Sequence, residues 1–505
     1  MNQAPSTLAA LITQQAVHRP QAVYAADAQG TQVLTYGALA RSCAQVCRLL
    51  RAHGTSPGDT VSVVMPNGLM TLRLLLGALA GGWCVNPVNL LAQSEQMDYV
   101  IAHSDCKLVF TNAQWEAQVR QSVALAGRAV HVVVLAADAP ELPDSSASDQ
   151  SLPVPLAPHA VALLMYTSGT TGKPKGVLLT QANLMANAHA IGAEHALGPT
   201  DRVLAVLPLY HINAFAVTML APLAHGGSLV MPSRFSATAF WGQAHATGCT
   251  WINLVPTMIS YLLEAEAGAH NTTAGIRFCR SASAALPPEH LRAFERKFGI
   301  GIVETMGLTE TAAPSFSNPL ASALRKTGSV GRASGCEACV IDRDLRPVAD
   351  GVTGEIAIRG PNVMLGYYKD EKATAAAFTL DGWLRTGDLG HRDPDGFYFV
   401  TGRIKELIIK GGENIAPREI DEALLRHPAV LDAAAVGIAD PHYGQEIMVC
   451  VVLRAGHGVD VDTLRAFCTT QLGAFKTPRV IRLVQELPRG PSGKVQRLKL
   501  LELGL

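Results

Sequence analysis

The 505-residue chain lacks any run of eighteen apolar residues, so no membrane-spanning helix is expected. Its first twenty residues lack a basic segment followed by an apolar core, which argues against a secretory leader. Cysteine is scarce at ten residues, too sparse for a disulfide scaffold. Cys336 and Cys339 form a CxxC pair without a second pair at zinc-site spacing, so reduced, incidental thiols are the expectation, and with them a cytoplasmic protein. Charge of one sign is lacking too: 41 Lys and Arg face 41 Asp and Glu. No broad positive field therefore exists to hold nucleic acid or an anionic membrane, and any anion must be held by local groups. Neither an internal repeat nor a low-complexity tail is present.

What is present describes a folded enzyme-sized protein. Hydrophobic residues make up 48% and charged residues 16% of the chain, enough to bury a large core in two to four domains. Helical periodicity alternates with short β-branched runs over most of the first 400 residues, the pattern of an α/β architecture. Thr35 to Gly54 reads as a helix closed by glycine, and the strand-like TVSVVMP follows from Thr60. The stretch from Asp138 to Pro158, rich in Pro, Ser and Asp, reads as a surface connection. Val203 to Pro232 is the longest apolar region, but Pro208, His211, Asn213, Pro222 and His225 interrupt it; core strands and loops are expected there. Asp393 to Gly396 (DPDG) is a tight-turn signal followed by the strand-like FYFVTG. A domain boundary is expected near residue 400, because the last hundred residues carry strands and helices enough for a small α+β domain.

The most informative segment is YTSGTTGKPKGV, Tyr166 to Val177. Thr167, Ser168, Thr170 and Thr171 bring hydroxyls, Gly169 and Gly172 let backbone N–H groups turn inward, and Lys173 and Lys175 bring positive charge. That combination is a polyphosphate cradle. It is not a Walker A loop, because two residues rather than four separate Gly169 from Gly172 and Pro174 follows Lys173. A plain surface loop would not follow a buried strand directly while carrying four hydroxyls and two lysines.

With PLYHINAF (Pro208 to Phe215), SASAALP (Ser281 to Pro287), ETMGLTET (Glu304 to Thr311), TGD (Thr386 to Asp388), GRIKELIIKGGENIAPREI (Gly402 to Ile420) and PRGPSGK (Pro488 to Lys494), this loop makes the chain resemble the adenylate-forming acyl-CoA synthetases. Those are relatives of firefly luciferase and of nonribosomal-peptide adenylation domains. The motifs span nearly the whole chain in the family's order. The resemblance implies an α/β fold with a large N-terminal adenylation domain of β-sheets flanked by helices, residues 1–402. It also implies a small mobile α+β lid, residues 403–505, hinged near Lys405. The implied reaction joins a carboxylate to the α-phosphorus of ATP, releases pyrophosphate, and then passes the acyl group to coenzyme A with loss of AMP. Such a site must bring two anions together, so cations and donors must converge on it.

By the same resemblance, Glu310 is the Mg²⁺ ligand, Thr309 bonds the α-phosphate, and Glu304, Thr305, Met306 and Gly307 complete that AMP-binding segment. Ser283, Ala284 and Ala285 pass along the adenine, although Ala282 and Ala285 stand where the common pattern has Gly and Pro. Asp388 and Arg403 hold the ribose hydroxyls. Lys494, which otherwise reads as a solvated tail lysine, becomes the catalytic lysine bridging carboxylate and α-phosphate. Gly411 and Gly412 face the coenzyme A tunnel after the lid rotates. His211, in isolation a core histidine, lies beside the acyl pocket and the thiol entry.

The acid is the open question. RSASAALP with PLYHIN is closest in texture to ligases of oxalate and other small diacids. Asn213, Asn253 and Arg280 near the acyl site suit a short acid with a second anion, of the oxalate, malonate or sulfoacetate type. Against this, Arg280 could pair with Glu295 or Asp342. Trp251, Met258 and Met306 would suit a medium-chain or aryl acid. The chain stops soon after Lys494 with no carrier domain, so free coenzyme A is the expected acceptor, with a separate carrier protein as the alternative. A catalytically dead binding module would lack Lys494 or Glu310, and a kinase would release ADP rather than pyrophosphate.

Overall fold

The helix expected from Thr35 runs Tyr36–Ala52, capped by Thr35, whose Oγ1 accepts from the Ala38 N–H at 3.2 Å. It packs on the helix Leu69–Gly81, which is buried on every side except at Arg73. The contact is close enough to require glycine: a Cβ on Gly77 would stand 2.6 Å from the Val46 Cβ. In the computed structural model, residues 5–143, 156–167, 173–265, 273–490 and 494–503 are described. Among them these helices cover a nine-stranded and a seven-stranded sheet, with a four-stranded sheet alongside. One apolar core runs from Leu8 to Leu384 between these layers. The α/β class and the large sheet-rich N-terminal part are thus as expected.

The parallel strands Trp251–Leu254, Phe278–Ser281 and Ile302–Leu308 lie side by side in the nine-stranded sheet, in a register that sets Asn253 beside Arg280 and Ser281 beside Glu304. In the seven-stranded sheet Val161–Thr167 pairs antiparallel with Lys175–Thr180, matching Thr167 to Lys175. The two ends of the phosphate loop are therefore adjacent, while Ser168, Gly169, Thr170, Thr171 and Gly172 lie outside the described residues. Residues 144–155, the middle of the expected surface connection, also lie outside them.

Val203 to Pro232 departs from expectation. Strands are present at its two ends, Arg202–Leu204 and Ser228–Met231, but the middle is helical, a π-helical stretch Asn213–Leu220 running into the helix Ala221–His225. Every residue of the π-helical stretch is buried. A helix apolar all round shows no amphipathic period, so periodicity alone cannot separate it from core strand.

The turn at Asp393 to Gly396 joins the antiparallel strands Leu384–Arg392 and Tyr398–Arg403 of the four-stranded sheet. Beyond Arg403 the chain builds new cores, one from Ile408 to Ile481 and one from Ala434 to Leu500. There the hairpin Ile408–Lys410 and Glu413–Ile415 turns on Gly411 and Gly412, at φ +57° and +87°. Two positive φ values in a two-residue loop are the type I′ requirement that glycine meets without strain. The helices Pro417–Leu425 and Val461–Leu472 cover this part. No helix among the described residues is long and apolar enough to cross a membrane.

The Gly77 contact gives a direct test of the packing. Gly77→Val should destabilise the protein by about 1–3 kcal/mol through overpacking against Val46, read as a lower urea midpoint with native secondary structure retained at low denaturant.

Candidate active site

A cleft of about 610 Å³ opens where the two larger sheets meet the last hundred residues. At one end Thr167 and Lys175 enter it from the strands flanking the phosphate loop. The Lys175 ammonium sits 4.7 Å from the centroid of the Tyr367 ring, and the Tyr367 hydroxyl donates to Glu310 Oε1 at 2.9 Å. Tyr367 thus ties a cation to a carboxylate without the two meeting. Burial, reinforced by the Glu310 charge, pushes the Tyr367 hydroxyl far above its ordinary pKa, so it stays a donor. Tyr166 lines the cleft too, its hydroxyl bonding His103 Nδ1 at 2.8 Å, and just outside Lys173 lies 5.6 Å from the Tyr99 ring centroid.

The next wall is the turn Thr309–Thr311, with Gly307, Thr309 and Glu310 lining the cleft. Gly307 cannot be replaced without moving backbone, since a Cβ there would lie 2.0 Å from the Ala313 carbonyl oxygen. Opposite, Ala282 and Ser283 line the cleft, Ser283 at φ +74°. Ala284 is half-buried and Ala285 exposed, and neither belongs to that wall. Glu304 and Thr305 are buried in the strand Ile302–Leu308 with Met306 beyond them, and these three stand behind the cleft wall.

Asp388 and Arg403 face each other across neighbouring strands. Arg403 Nε donates to Asp388 Oδ1 at 2.6 Å and Nη2 to Oδ2 at 3.4 Å. Asp388 is 3% exposed, so in this arrangement its carboxylate meets Arg403, and Arg403 carries the contact to the cleft. The Asp388 charge raises the Arg403 pKa further. The Thr386–Gly387 turn is fixed by Thr386 Oγ1 donating to the Ile356 carbonyl and by the Gly387 N–H donating to Glu355 Oε1 at 3.0 Å.

Lys494 reaches the same cleft. It keeps solvent contact through the cleft mouth, yet its pKa is lowered, first by desolvation among the cleft walls and then by the Arg403 charge, with Asp388, Glu310 and Glu406 opposing. No ion pair engages it among the described residues. Lys405 lies exposed on the short turn Ile404–Glu406 and also borders the cleft, whereas Gly411 and Gly412 sit on the surface away from it.

His211, Asn213 and Arg280 also line the cleft. The His211 ring lies 4.8 Å from that of Tyr210. Arg280, 1% exposed, donates from Nη1 to the side-chain oxygens of Asn213 and Asn253, each at 2.7 Å. It does not pair with Glu295 or Asp342: Arg325 takes Glu295, and Asp342 closes its own turn. Tyr367 had no signal in the sequence, because it enters through strand pairing with Lys175–Thr180.

The family model for AMP-binding enzymes matches residues 12–368, and that for the AMP-binding enzyme C-terminal domain matches residues 419–494. The chain belongs to this family. It is an adenylate-forming acyl-CoA synthetase, an AMP-forming ligase of a carboxylic acid and coenzyme A. It is 59% identical to a sulfoacetate–CoA ligase of Cupriavidus necator, over 98% of this chain and 97% of that one. An oxalate–CoA ligase of Arabidopsis thaliana is 36% identical over 89% of each. The crystal structure of ATP-bound MatB from Rhodopseudomonas palustris superposes with a TM-score of 0.91 at 28% identity, covering 98% of both chains.

Glu304 supplies a pH test. Burial pushes its carboxyl up to about 8, with Arg418 opposing. The folded protein thus keeps a proton that the unfolded chain releases near the ordinary carboxylate value, so between about pH 4.5 and 8 unfolding releases a proton and stability falls as pH rises. Glu304→Gln should remove that slope: melting curves of variant and wild type should converge near pH 5 and separate towards pH 8, the variant melting higher.

Proposed function

We propose that this synthetase activates a small acid carrying a second anion, with sulfoacetate the leading candidate, as its adenylate and transfers the acyl group to free coenzyme A. The observation that carries this reading is one cleft that joins Thr167, Lys175 and Lys494 to a buried arginine that no carboxylate among the described residues neutralises. The sulfoacetate–CoA ligase at 59% identity supports the same class of acid. A medium-chain or aryl acid would leave the Arg280 charge buried and unanswered, and is not favoured.

In this reading Thr167, Ser168, Gly169, Thr170, Thr171, Gly172, Lys173 and Lys175 hold the β and γ phosphates, and Thr309 donates to the α-phosphate. Ser283 and Gly307 border the nucleotide from the cleft wall, with the backbone of Ala284 and Ala285 continuing from Ser283 towards the adenine and Glu304 to Met306 behind that wall, and Arg403, oriented by Asp388, meets the ribose. Lys494 donates to the acid's carboxylate and to an α-phosphate oxygen while negative charge moves from one to the other, the place where a fixed cation lowers the barrier most. Glu310 fits Mg²⁺ as a lone carboxylate at the phosphate end, with no cluster of three ligating side chains among the described residues, the donor set of an ion carried mainly by phosphates. Bound there, Mg²⁺ would offset phosphate charge. Tyr367 holds Glu310 and Lys175 at fixed positions in that end. Rotation of residues 403–505 about Lys405 would then turn the Gly411–Gly412 hairpin towards the cleft for the thiol step, with His211 beside the entry. Ten free thiols fit a reducing cytoplasm.

The test is exchange of labelled pyrophosphate into ATP across sulfoacetate, malonate, oxalate, hexanoate and benzoate, followed by coenzyme A-dependent AMP release. Exchange with the short dianions and thioester formation with the best of them are expected. Preference for hexanoate or benzoate over every short dianion would defeat the substrate reading, and absence of AMP release with every acid would defeat the ligase reading. Lys494→Ala should lower the exchange rate on the order of 100- to 1,000-fold while leaving thioester formation from preformed acyl-adenylate largely intact. Tyr367→Phe should raise the Mg²⁺ concentration needed for half-maximal ATP binding, read by calorimetry.

A further inference from the structure

Arg280 stands on the strand Phe278–Ser281, in register with Asn253 on the neighbouring parallel strand. Asn253 is fully buried and Asn213 nearly so. Both amide oxygens accept from the one nitrogen, Arg280 Nη1. The two amides are themselves joined, Asn253 Nδ2 donating to Asn213 Oδ1 at 3.3 Å, and Asn213 Nδ2 donates onward to Ser283 Oγ at 3.1 Å. The guanidinium is thus held in a bracket of oriented dipoles. Its Nε, equally buried, has no partner.

No ion pair reaches this guanidinium among the described residues, although arginines elsewhere in the chain regularly find carboxylates, as Arg325 finds Glu295 and Arg385 finds Glu355. Its titratable neighbour does not help. His195 is pushed down to about 3 by burial and then by the Arg280 charge, so its ring is neutral, and both ring nitrogens lack partners. Amides fix a guanidinium in place but neutralise none of its charge. A buried cation left in that state is costly unless an anion arrives with matching geometry, and Arg280, Asn213 and Ser283 all border the cleft from which one can come.

We propose that Arg280, bracketed by Asn213 and Asn253, is the receptor for the second anion of the acid, and that the neutrality of the two amides makes the site select short dianionic acids over monoanions of the same length. This rests on the reading of the chain as a ligase of small dianionic acids. The group recognised is a terminal oxyanion, carboxylate or sulfonate, accepting from the free Nε edge of the guanidinium. Ser283, tied to Asn213 and bordering the nucleotide side, links the bracket to the same wall that meets ATP.

Asn253→Asp tests the charge with little change of shape, because it places a carboxylate where the amide oxygen now accepts from Nη1. Wild type is first assayed by pyrophosphate exchange with sulfoacetate, malonate, propionate and butyrate. A wild-type preference for propionate or butyrate would overturn the underlying substrate reading. With the dianion preference established, Asn253→Asp should lower kcat/KM for sulfoacetate and malonate on the order of 100-fold through the KM for the acid. The KM for ATP should be unchanged, and the ratio of propionate to malonate activity should rise by a similar factor. Should that variant not fold, by its melting curve, Arg280→Met carries the same expectation. An unchanged ratio in a folded variant, or equal loss with dianions and monoanions, would overturn the receptor while leaving the ligase reading standing. The two dianion arms separate the sources: a loss confined to sulfoacetate assigns the bracket to sulfonates, and a loss with both assigns it to either oxyanion.

Discussion

A carboxylate can reach the α-phosphorus of a triphosphate only where positive charge has been left without an internal counter-charge, and the cleft is built around that constraint. The chain as a whole is neutral, and many of its basic side chains pair with acids. In and beside the cleft the pattern changes. Lys175 and Lys173 rest on the rings of Tyr367 and Tyr99, Lys494 meets no ion pair among the described residues, and Arg280 is held by amides. Aromatic faces and amide oxygens orient a cation without cancelling it. Arg403 is the exception, paired with Asp388, and it stands where a diol rather than an anion is expected.

The same constraint explains where the cores divide. Lys494 and Arg403 come from the far end of the chain, and beyond Arg403 the apolar contacts close on themselves. A cleft assembled at the seam of separate cores draws its charged side chains from both without breaking the apolar packing of either. Glu304, buried behind the nucleotide wall, feels the Arg418 charge from the helix Pro417–Leu425 across that seam. Its raised pKa keeps the carboxyl largely protonated at pH 7, so what the strand Ile302–Leu308 presents to that helix is a hydrogen-bonding group and not a full charge.

Contiguous features were legible in the sequence and composite ones were not. The helix from Thr35 with its glycine stop and the turn at Asp393 each depend on a few adjacent residues, and each signal is local. The family was legible for the same reason, since its motifs are short runs in fixed order. The helical stretch from Asn213 to His225 was missed because burial on all sides erases its period. Tyr367 was missed because its link to Lys175 and Glu310 needs residues 366–367 to pair with the strand Lys175–Thr180. The Arg280 bracket needs the register between two parallel strands and the first turn of that buried helix, none of which a linear reading assembles.

The fold also departs from its own rules at and near that bracket. Arg280 Nε, both ring nitrogens of His195 and the Ser281 hydroxyl are buried without hydrogen-bond partners, and Ser281 is the next residue along the same strand. Unpaired buried polar groups cost stability, and a single aspartate in place of Asn253 would set a charge against the guanidinium at Nη1 while leaving Nε unpaired. Such a pair would also fill the guanidinium's charge from within, leaving nothing for a substrate to answer. Strain of this kind concentrates at sites whose partner comes from outside the chain. Here the missing partner must be anionic and small enough to lie between the bracket and Lys494, with its reacting carboxylate at the opposite end from the group that Arg280 holds.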